Sequence, residues 1–227
     1  YLKNHEIQSH FAGKSSHKFD EFYQWQRERF NILIDENYKP VGGKWMIESA
    51  KPKKGTEQQL TPPTFEAFGD NQYIEDAAKY VMDHFVDNPG GTDFVWPTNH
   101  KEAASWLKDF VDNRIDGFAD NQETIDSKAI WLYHSALSSS LNIGLLSAKQ
   151  VVDAALERHK KNPVPLDSLE LFIRGVLGHR EFIRAQYISI SPATRKLNYF
   201  GHTRKMTGEW LSGNLGLPPY DGMMQKI

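Results

Sequence analysis

The sequence contains no cysteine, which removes disulfides, thiolate catalysis and cysteine-ligated zinc or iron–sulfur centres from this chain. Long apolar runs are missing as well. No stretch approaches the ~20 residues of a membrane-spanning helix, and the opening Tyr1-Leu2-Lys3-Asn4-His5 is unlike a signal peptide. Neither sign of charge dominates, with 27 Lys and Arg against 29 Asp and Glu. A nucleic-acid partner would therefore need a local basic patch. Gly42-Gly43-Lys44 lacks the full spacing of a phosphate-binding P-loop. No internal repeat, no run of alternating strands and no set of metal ligands stands out, so no metal site is assigned. A soluble, cytoplasmic, monomeric protein without a membrane partner is expected. The chain lacks an initiator Met and stops in mid-pattern at Met223-Met224-Gln225-Lys226-Ile227, so a piece of something longer is expected too.

What is present is helical. With 39% hydrophobic residues over 227 positions, a substantial core is available. Phe19, Phe22, Tyr23, Phe30 and Leu33 recur at helical spacing over 17–35, and Pro40 with Gly42-Gly43 then breaks the pattern. Residues 48–69, with Lys51, Lys53, Lys54 and Pro62-Pro63, read as a long surface loop whose lysines are either solvated or available to a polyanion. Helices follow over 73–85 and 99–111, both expected in the core, the second with a capping box of Asn99 and Glu102. A further box of Ser147 and Gln150 starts the helix ended by Pro163 and Pro165. The best-defined helix begins at Asp167 with Glu170 three residues on, and buries Leu169, Phe172, Ile173, Val176 and Leu177. Its other face carries Glu170, Arg174 and Glu181 with Arg180 nearby, which suits either a surface ion-pair row or a source of positive charge for a ligand. Residues 195–206 are basic without periodicity, and a loop then leads into a helix from Tyr220. The fold class is mainly α, with residues 1–69 as an N-terminal helix and linker and 70–227 as a helical domain.

The stretch around which these helices are arranged is His134-Ser135-Ala136-Leu137-Ser138-Ser139-Ser140-Leu141-Asn142-Ile143-Gly144-Leu145-Leu146-Ser147. Small hydroxyl side chains and a glycine lie between two apolar runs, so a donor-rich backbone can approach a phosphate-bearing ligand. The same composition also suits an ordinary junction whose serines cap the next helix.

Read together, three blocks resemble the photolyase and cryptochrome flavoproteins. The run from His134 through Val151 is similar to that family's Thr-Ser-x-Leu-Ser-Pro-x-Leu-x-x-Gly-x-Leu-Ser-x-Arg segment. Gly178-His179-Arg180-Glu181-Phe182-Ile183-Arg184 is similar to its Trp-Arg-Glu-Phe-Tyr-Arg motif. Glu209-Trp210-Leu211-Ser212-Gly213-Asn214-Leu215-Gly216-Leu217-Pro218-Pro219-Tyr220-Asp221 is similar to Ala-Trp-x-x-Gly-x-Thr-Gly-x-Pro-x-x-Asp. Phe22-Tyr23-Gln24-Trp25-Gln26-Arg27, Lys39-Pro40-Val41-Gly42-Gly43-Lys44-Trp45 and the Ala103, Trp106, Leu107, Phe110, Val111 pattern resemble the prokaryotic photolyase-related branch. That branch commonly carries an iron–sulfur cluster and includes enzymes for pyrimidine–pyrimidone photoproducts.

The resemblance covers nearly all of the chain and implies a partial helical FAD-binding bundle. An N-terminal antenna domain would precede Tyr1, and the remaining flavin-cradling helices and the catalytic His would follow Ile227. FAD would be held by His134, Ser135, Ala136, Leu137 and Ser138, with Arg174 and Arg180 supplying positive charge. Ultraviolet-damaged DNA is the implied partner, with His179 and Lys205 as lesion or DNA contacts, and the implied activity is that of a light-driven DNA photolyase. The alternatives are a cryptochrome-like photoreceptor without repair activity and a degenerate member that binds no flavin. The antenna pigment is left open. Three departures stand out: His179 replaces the family's Trp, His134 its Thr and Gly175 a Gln. A cluster cysteine expected near Leu217-Pro218-Pro219-Tyr220 is missing, so no iron–sulfur cluster is carried over.

Overall fold

A computed structural model describes residues 2–14, 17–48, 71–88, 91–124, 129 and 131–224, the side chains of 192 and 193 excepted. The expected loop at 48–69 lies almost wholly outside them. The described residues are mainly helical: α1 (Asn4–Phe11), α2 (Phe19–Phe30), α3 (Gln72–His84), α4 (His100–Asn113), α5 (Phe118–Asn121), α6 (Ser138–Ile143), α7 (Ala148–Lys161), α8 (Leu166–Ile173), α9 (Glu181–Thr194), α10 (Glu209–Ser212) and α11 (Pro218–Met224). A 3₁₀ turn (Ile115–Gly117) precedes α5, and a π-helical segment (Arg174–Arg180) joins α8 to α9. No described helix is long and apolar enough to cross a membrane.

The chain forms two compact units with interleaved segments, Tyr1–Glu66 with Pro97–Pro192, and Ala67–Trp96 with Ala193–Ile227. Helices α1 and α2 thus belong to the same unit as the Ser-rich run. In that larger unit Leu2, Ile7, Phe11, Phe22 and Ala185 form one apolar cluster, with Trp25, Phe30, Phe182 and Ile188 packed on it. A second centre is aromatic. Phe110 lies 4.6 Å from Phe172, and Phe118 is 5.6 Å from Phe172 and 6.0 Å from Phe110, distances at which edge-on ring pairs add to the gain from burial.

Helix boundaries follow local chemistry. Asn99 accepts from the Glu102 N–H at 3.0 Å to cap α4, while the Glu102 carboxylate reaches back to accept from the Thr98 N–H and hydroxyl. The Ser147 and Gln150 box forms as expected. Helix α2 ends at Asn31, in the left-handed region at φ 50°. Helix α8 starts one residue earlier than its expected cap: Pro165 takes the N-cap position, and the Asp167 carboxylate accepts from Ser168 N–H inside the first turn.

The buried guanidinium of Arg27 organises the segment after α2. It donates to the carbonyls of Ile32 (3.2 Å), Trp45 (2.6 Å) and Leu33 (2.5 Å) and lies over the Tyr23 and Trp45 rings. Five donors in a fixed fork suit Arg to such multiple acceptance. Gly42 is in the left-handed region at φ 81°, and a Cβ there would sit 2.6 Å from Leu166 Cδ2. Gly42 is therefore packed against α8, while Gly43 beside it is open.

In the smaller unit, α3 is amphipathic but none of its residues is buried, contrary to its expected place in the core. The Trp210 to Asp221 motif builds a compact turn. The Asp221 carboxylate accepts from the N–H groups of Leu215 and Leu217, both at 2.9 Å, and the Tyr220 hydroxyl donates to the Trp210 carbonyl at 2.7 Å.

Candidate functional site

The helix running from 166 to 194 carries the site because it is not uniform. Over Arg174–Arg180 each turn accommodates an extra residue, and hydrogen bonds of this wider kind collect at functional positions. The widening is held from outside. Gln26 Nε2 donates to the Leu177 carbonyl at 3.4 Å. A Cβ on Gly178 would meet Tyr23 Cδ2 at 3.0 Å and Phe19 Cζ at 3.1 Å, so the missing side chain lets α2 approach the segment closely.

On the opposite side the segment faces a cleft of about 310 Å³. Phe118, Phe172 and Val176 provide apolar lining, and Gly175 leaves the space beside them open. Ser135, Leu137, Ser138, Leu141 and Asn142 line it as well, and Arg180 contributes its charge. The Arg180 guanidinium donates to the Leu141 carbonyl at 3.4 Å and pairs with Glu181 at 3.3 Å. Glu181 is 1% exposed and also pairs with Arg184 at 3.3 Å. Two guanidiniums share one buried carboxylate, and of the two Arg180 is the one that lines the cleft.

The backbone before α6 is specialised. Ala136 has φ 50°, a region that non-glycine residues seldom adopt, and Leu137 follows in the right-handed region at φ −88°, ψ −2°. Alternation of left- and right-handed residues turns successive N–H groups toward a common point, an arrangement that binds anions. The run is anchored where the Trp106 Nε1–H donates to the Ser135 carbonyl at 3.2 Å. Among the described residues, the hydroxyls of Ser135 and Ser138 have no intrachain partner, and the Ser139 hydroxyl is buried without one. They do not cap α6, whose N-cap is Leu137.

The structure thus brings Ser135, Leu137, Ser138 and Arg180 to one cleft. Other expected site residues lie elsewhere. His134 and Ala136 are not among its lining residues, and Ala136 acts through its backbone conformation. Arg174 turns away: it donates to the Ile47 carbonyl at 3.1 Å and pairs with Glu170 at 3.5 Å. Glu170 is fully buried, accepting from the Tyr23 hydroxyl at 2.9 Å and the Ile47 N–H at 3.0 Å. The expected surface row is therefore two separate sets, each around a buried carboxylate, because the extra residue in the π segment rotates Glu181 away from Arg174. His179 stacks on Phe19 at 4.2 Å, and burial together with Arg174 lowers its pKa. Lys205 belongs to the other unit and is exposed. Phe118, Asn142 and Phe172 were not foreseen as lining. The one available signal was the spacing of Phe172, Gly175 and Val176, which puts them on one helical face.

Residues 1–96 match the family described as deoxyribodipyrimidine photo-lyase-related protein. Over 208 residues the chain is 28% identical to a (6-4) photolyase of Agrobacterium fabrum, covering 91% of this chain and 41% of that enzyme. An alignment of that length cannot leave out residues 134–180. A second relative, uncharacterized protein R853 of Acanthamoeba polyphaga mimivirus, is 34% identical over 101 residues, which is 44% of this chain and 77% of that protein. The chain spans about two fifths of the length of the first of these relatives. The match to the photolyase-related family thus lies in residues 1–96, and the similarity to a protein named (6-4) photolyase extends across the residues of the cleft.

Proposed function

We propose that this chain is the helical, FAD-binding part of a light-driven DNA repair flavoprotein acting on a pyrimidine photoproduct. The observation that supports it is the convergence of two free serine hydroxyls and one guanidinium, from stretches about 40 residues apart, on a single cleft with aromatic lining. Such a cleft suits a ligand that joins an anionic group to a flat apolar one. The residues fit the diphosphate of FAD. Ser135 and Ser138 would donate hydroxyl hydrogens to its oxygens, the N–H groups around Ala136 and Leu137 would add backbone donors, and Arg180 would offset its charge. The apolar lining of Phe118, Phe172 and Val176 excludes water from one side, which strengthens these charge-assisted contacts. The chemistry supplied by FAD held there would be light-driven electron donation to the photoproduct. Damaged DNA would present its lesion as flipped-out bases.

The photoreceptor reading has its own support. His179 is engaged with Phe19 and Gly175 carries no side chain, so the two positions at which this chain departs from the family's lesion pocket make no obvious contact for a lesion.

The test is the visible spectrum of the purified full-length gene product, with an assay of ultraviolet-damaged oligonucleotides in darkness and under blue light. Bound FAD and light-dependent loss of the photoproduct are expected. A colourless protein overturns the flavin reading, and a yellow protein without repair leaves the photoreceptor.

A further inference from the structure

We propose that the turn at residues 198–201 in the smaller unit is a stacking platform for unpaired nucleic-acid bases, with Tyr199 and Phe200 as its stacking rings. This deepens the nucleic-acid side of the proposed function and rests on that reading for the choice of DNA, but it does not depend on flavin.

The turn is built to hold two rings in water. Gly201 N–H donates to the Asn198 carbonyl at 3.0 Å, and Gly201 takes φ 61°. The Asn198 side chain then fastens both backbone groups of His202, accepting from its N–H at 3.0 Å and donating to its carbonyl at 2.7 Å. These local bonds fix the loop without help from a core. Tyr199 and Phe200 occupy its two central positions, 85% and 77% exposed, with ring centroids 5.0 Å apart. Leu197 and Met206 beside them are exposed as well. Scattered exposed apolar residues need no explanation, but a cluster of four on one short loop marks a contact surface.

Charge identifies the partner. Between Glu181 and Glu209 the sequence has no acidic residue, and Lys196, Arg204 and Lys205 flank the turn in a chain whose net charge is −2. Basic side chains on both sides of exposed rings suit a polyanion that carries flat aromatic groups. Backbone phosphates meet the cations, while bases stack on the rings whatever their sequence. An intact duplex hides the faces of its bases, so the platform favours single strands and sites where pairing is broken. A turn already rigid in the free protein loses little freedom on binding.

Binding of labelled oligonucleotides by the full-length protein tests this, using an intact duplex, the same duplex with a two-base mismatch, and a single strand. The wild type should bind the last two more tightly than the first. Tyr199→Ala with Phe200→Ala should weaken both by about tenfold or more and change intact-duplex binding little. Tyr199→Phe with Phe200→Tyr, which keeps both rings, should restore wild-type binding. Lys196→Glu with Lys205→Glu should weaken all three and flatten the salt dependence. Unchanged affinity in the double alanine variant, or no preference of the wild type for unpaired bases, overturns the proposal and leaves the surface to another partner. Flavin content read from the visible spectrum of the same samples separates the two readings. Loss of colour with stacking-dependent binding retained counts against the flavin reading alone.

Discussion

The Tyr23 hydroxyl donates a 2.9 Å hydrogen bond to Glu170 across 147 positions of sequence, and both side chains are fully buried. Burial, then the neighbouring carboxylate, raises the Tyr23 pKa far above its ordinary value, so the phenol stays a donor throughout the physiological range. Arg174 and the Ile47 N–H complete the set around the carboxylate. Removing the hydroxyl by Tyr23→Phe should cost about 1.5–3 kcal/mol, as for a hydrogen bond to a charged group. Glu170→Ala, which strands Arg174, should cost about 3–5 kcal/mol. Urea denaturation of the two variants measures both, and the order of the two losses is part of the prediction.

Two glycines only three residues apart should respond in opposite ways. Gly178→Ala pushes a methyl to within 3.0 Å of Tyr23 and 3.1 Å of Phe19, an overpacking expected to cost about 1–3 kcal/mol. At Gly175 a Cβ meets nothing within 4 Å, so Gly175→Ala should stabilise the helix by up to about 1 kcal/mol. Thermal melting of both variants checks the signs. A destabilised Gly175→Ala would mean that the wider turn itself requires glycine there.

At the cleft, Ser135→Asp places a carboxylate where the diphosphate is proposed to sit. FAD retention through gel filtration should fall by about tenfold or more. Arg180→Gln should weaken retention in the same direction, whereas Arg174→Gln should reduce stability more than retention. If Ser135→Asp keeps its flavin, the phosphate site has been misplaced.

Acid should loosen the packing around α1 and α2. His10 is pushed below its ordinary pKa by burial and by Lys14, with Glu21 opposing and His17 adding to the shift, and His179 by burial and Arg174. Below about pH 6.5 an unfolded histidine takes a proton that these folded ones still refuse. The unfolded state then holds more protons, so stability is complete above that pH and is lost as the pH falls through the lower folded values. Melting temperature should drop between pH 7.5 and 5.5. His10→Gln and His179→Gln should each shrink the drop, and an unchanged drop in both would assign it to the carboxylates instead.

Local chemistry was the legible part of this fold. Ser147 with Gln150, the Asn99 cap, and the buried stripe from Leu169 to Leu177 depend on residues within one or two turns, so spacing reveals them. The spacing of Glu170 and Arg174 also indicated their pairing. What it did not indicate was depth: an i, i+4 ion pair reads the same on a surface as in a core, and the burial of Glu170 is set by Tyr23 from another helix. The π segment escaped for a related reason. An extra residue in one turn alters which side chains share a face without changing composition, so Glu181 was grouped with Arg174 although it pairs with Arg180 and Arg184. Arg27 sits four residues after Tyr23 on the face of α2 that also buries Phe22 and Gln26, a hint of burial that its charge obscured.

The packing of α2 against the helix of residues 166–194 also sets a timetable. Phe22 and Tyr23 are made about 150 residues before Glu170, Gly178 and Ala185, against which α2 closes. At ordinary synthesis rates of roughly 5–20 residues per second, the aromatic face of α2 waits roughly 8–30 seconds for its partners. During that interval it is a natural binding segment for a chaperone.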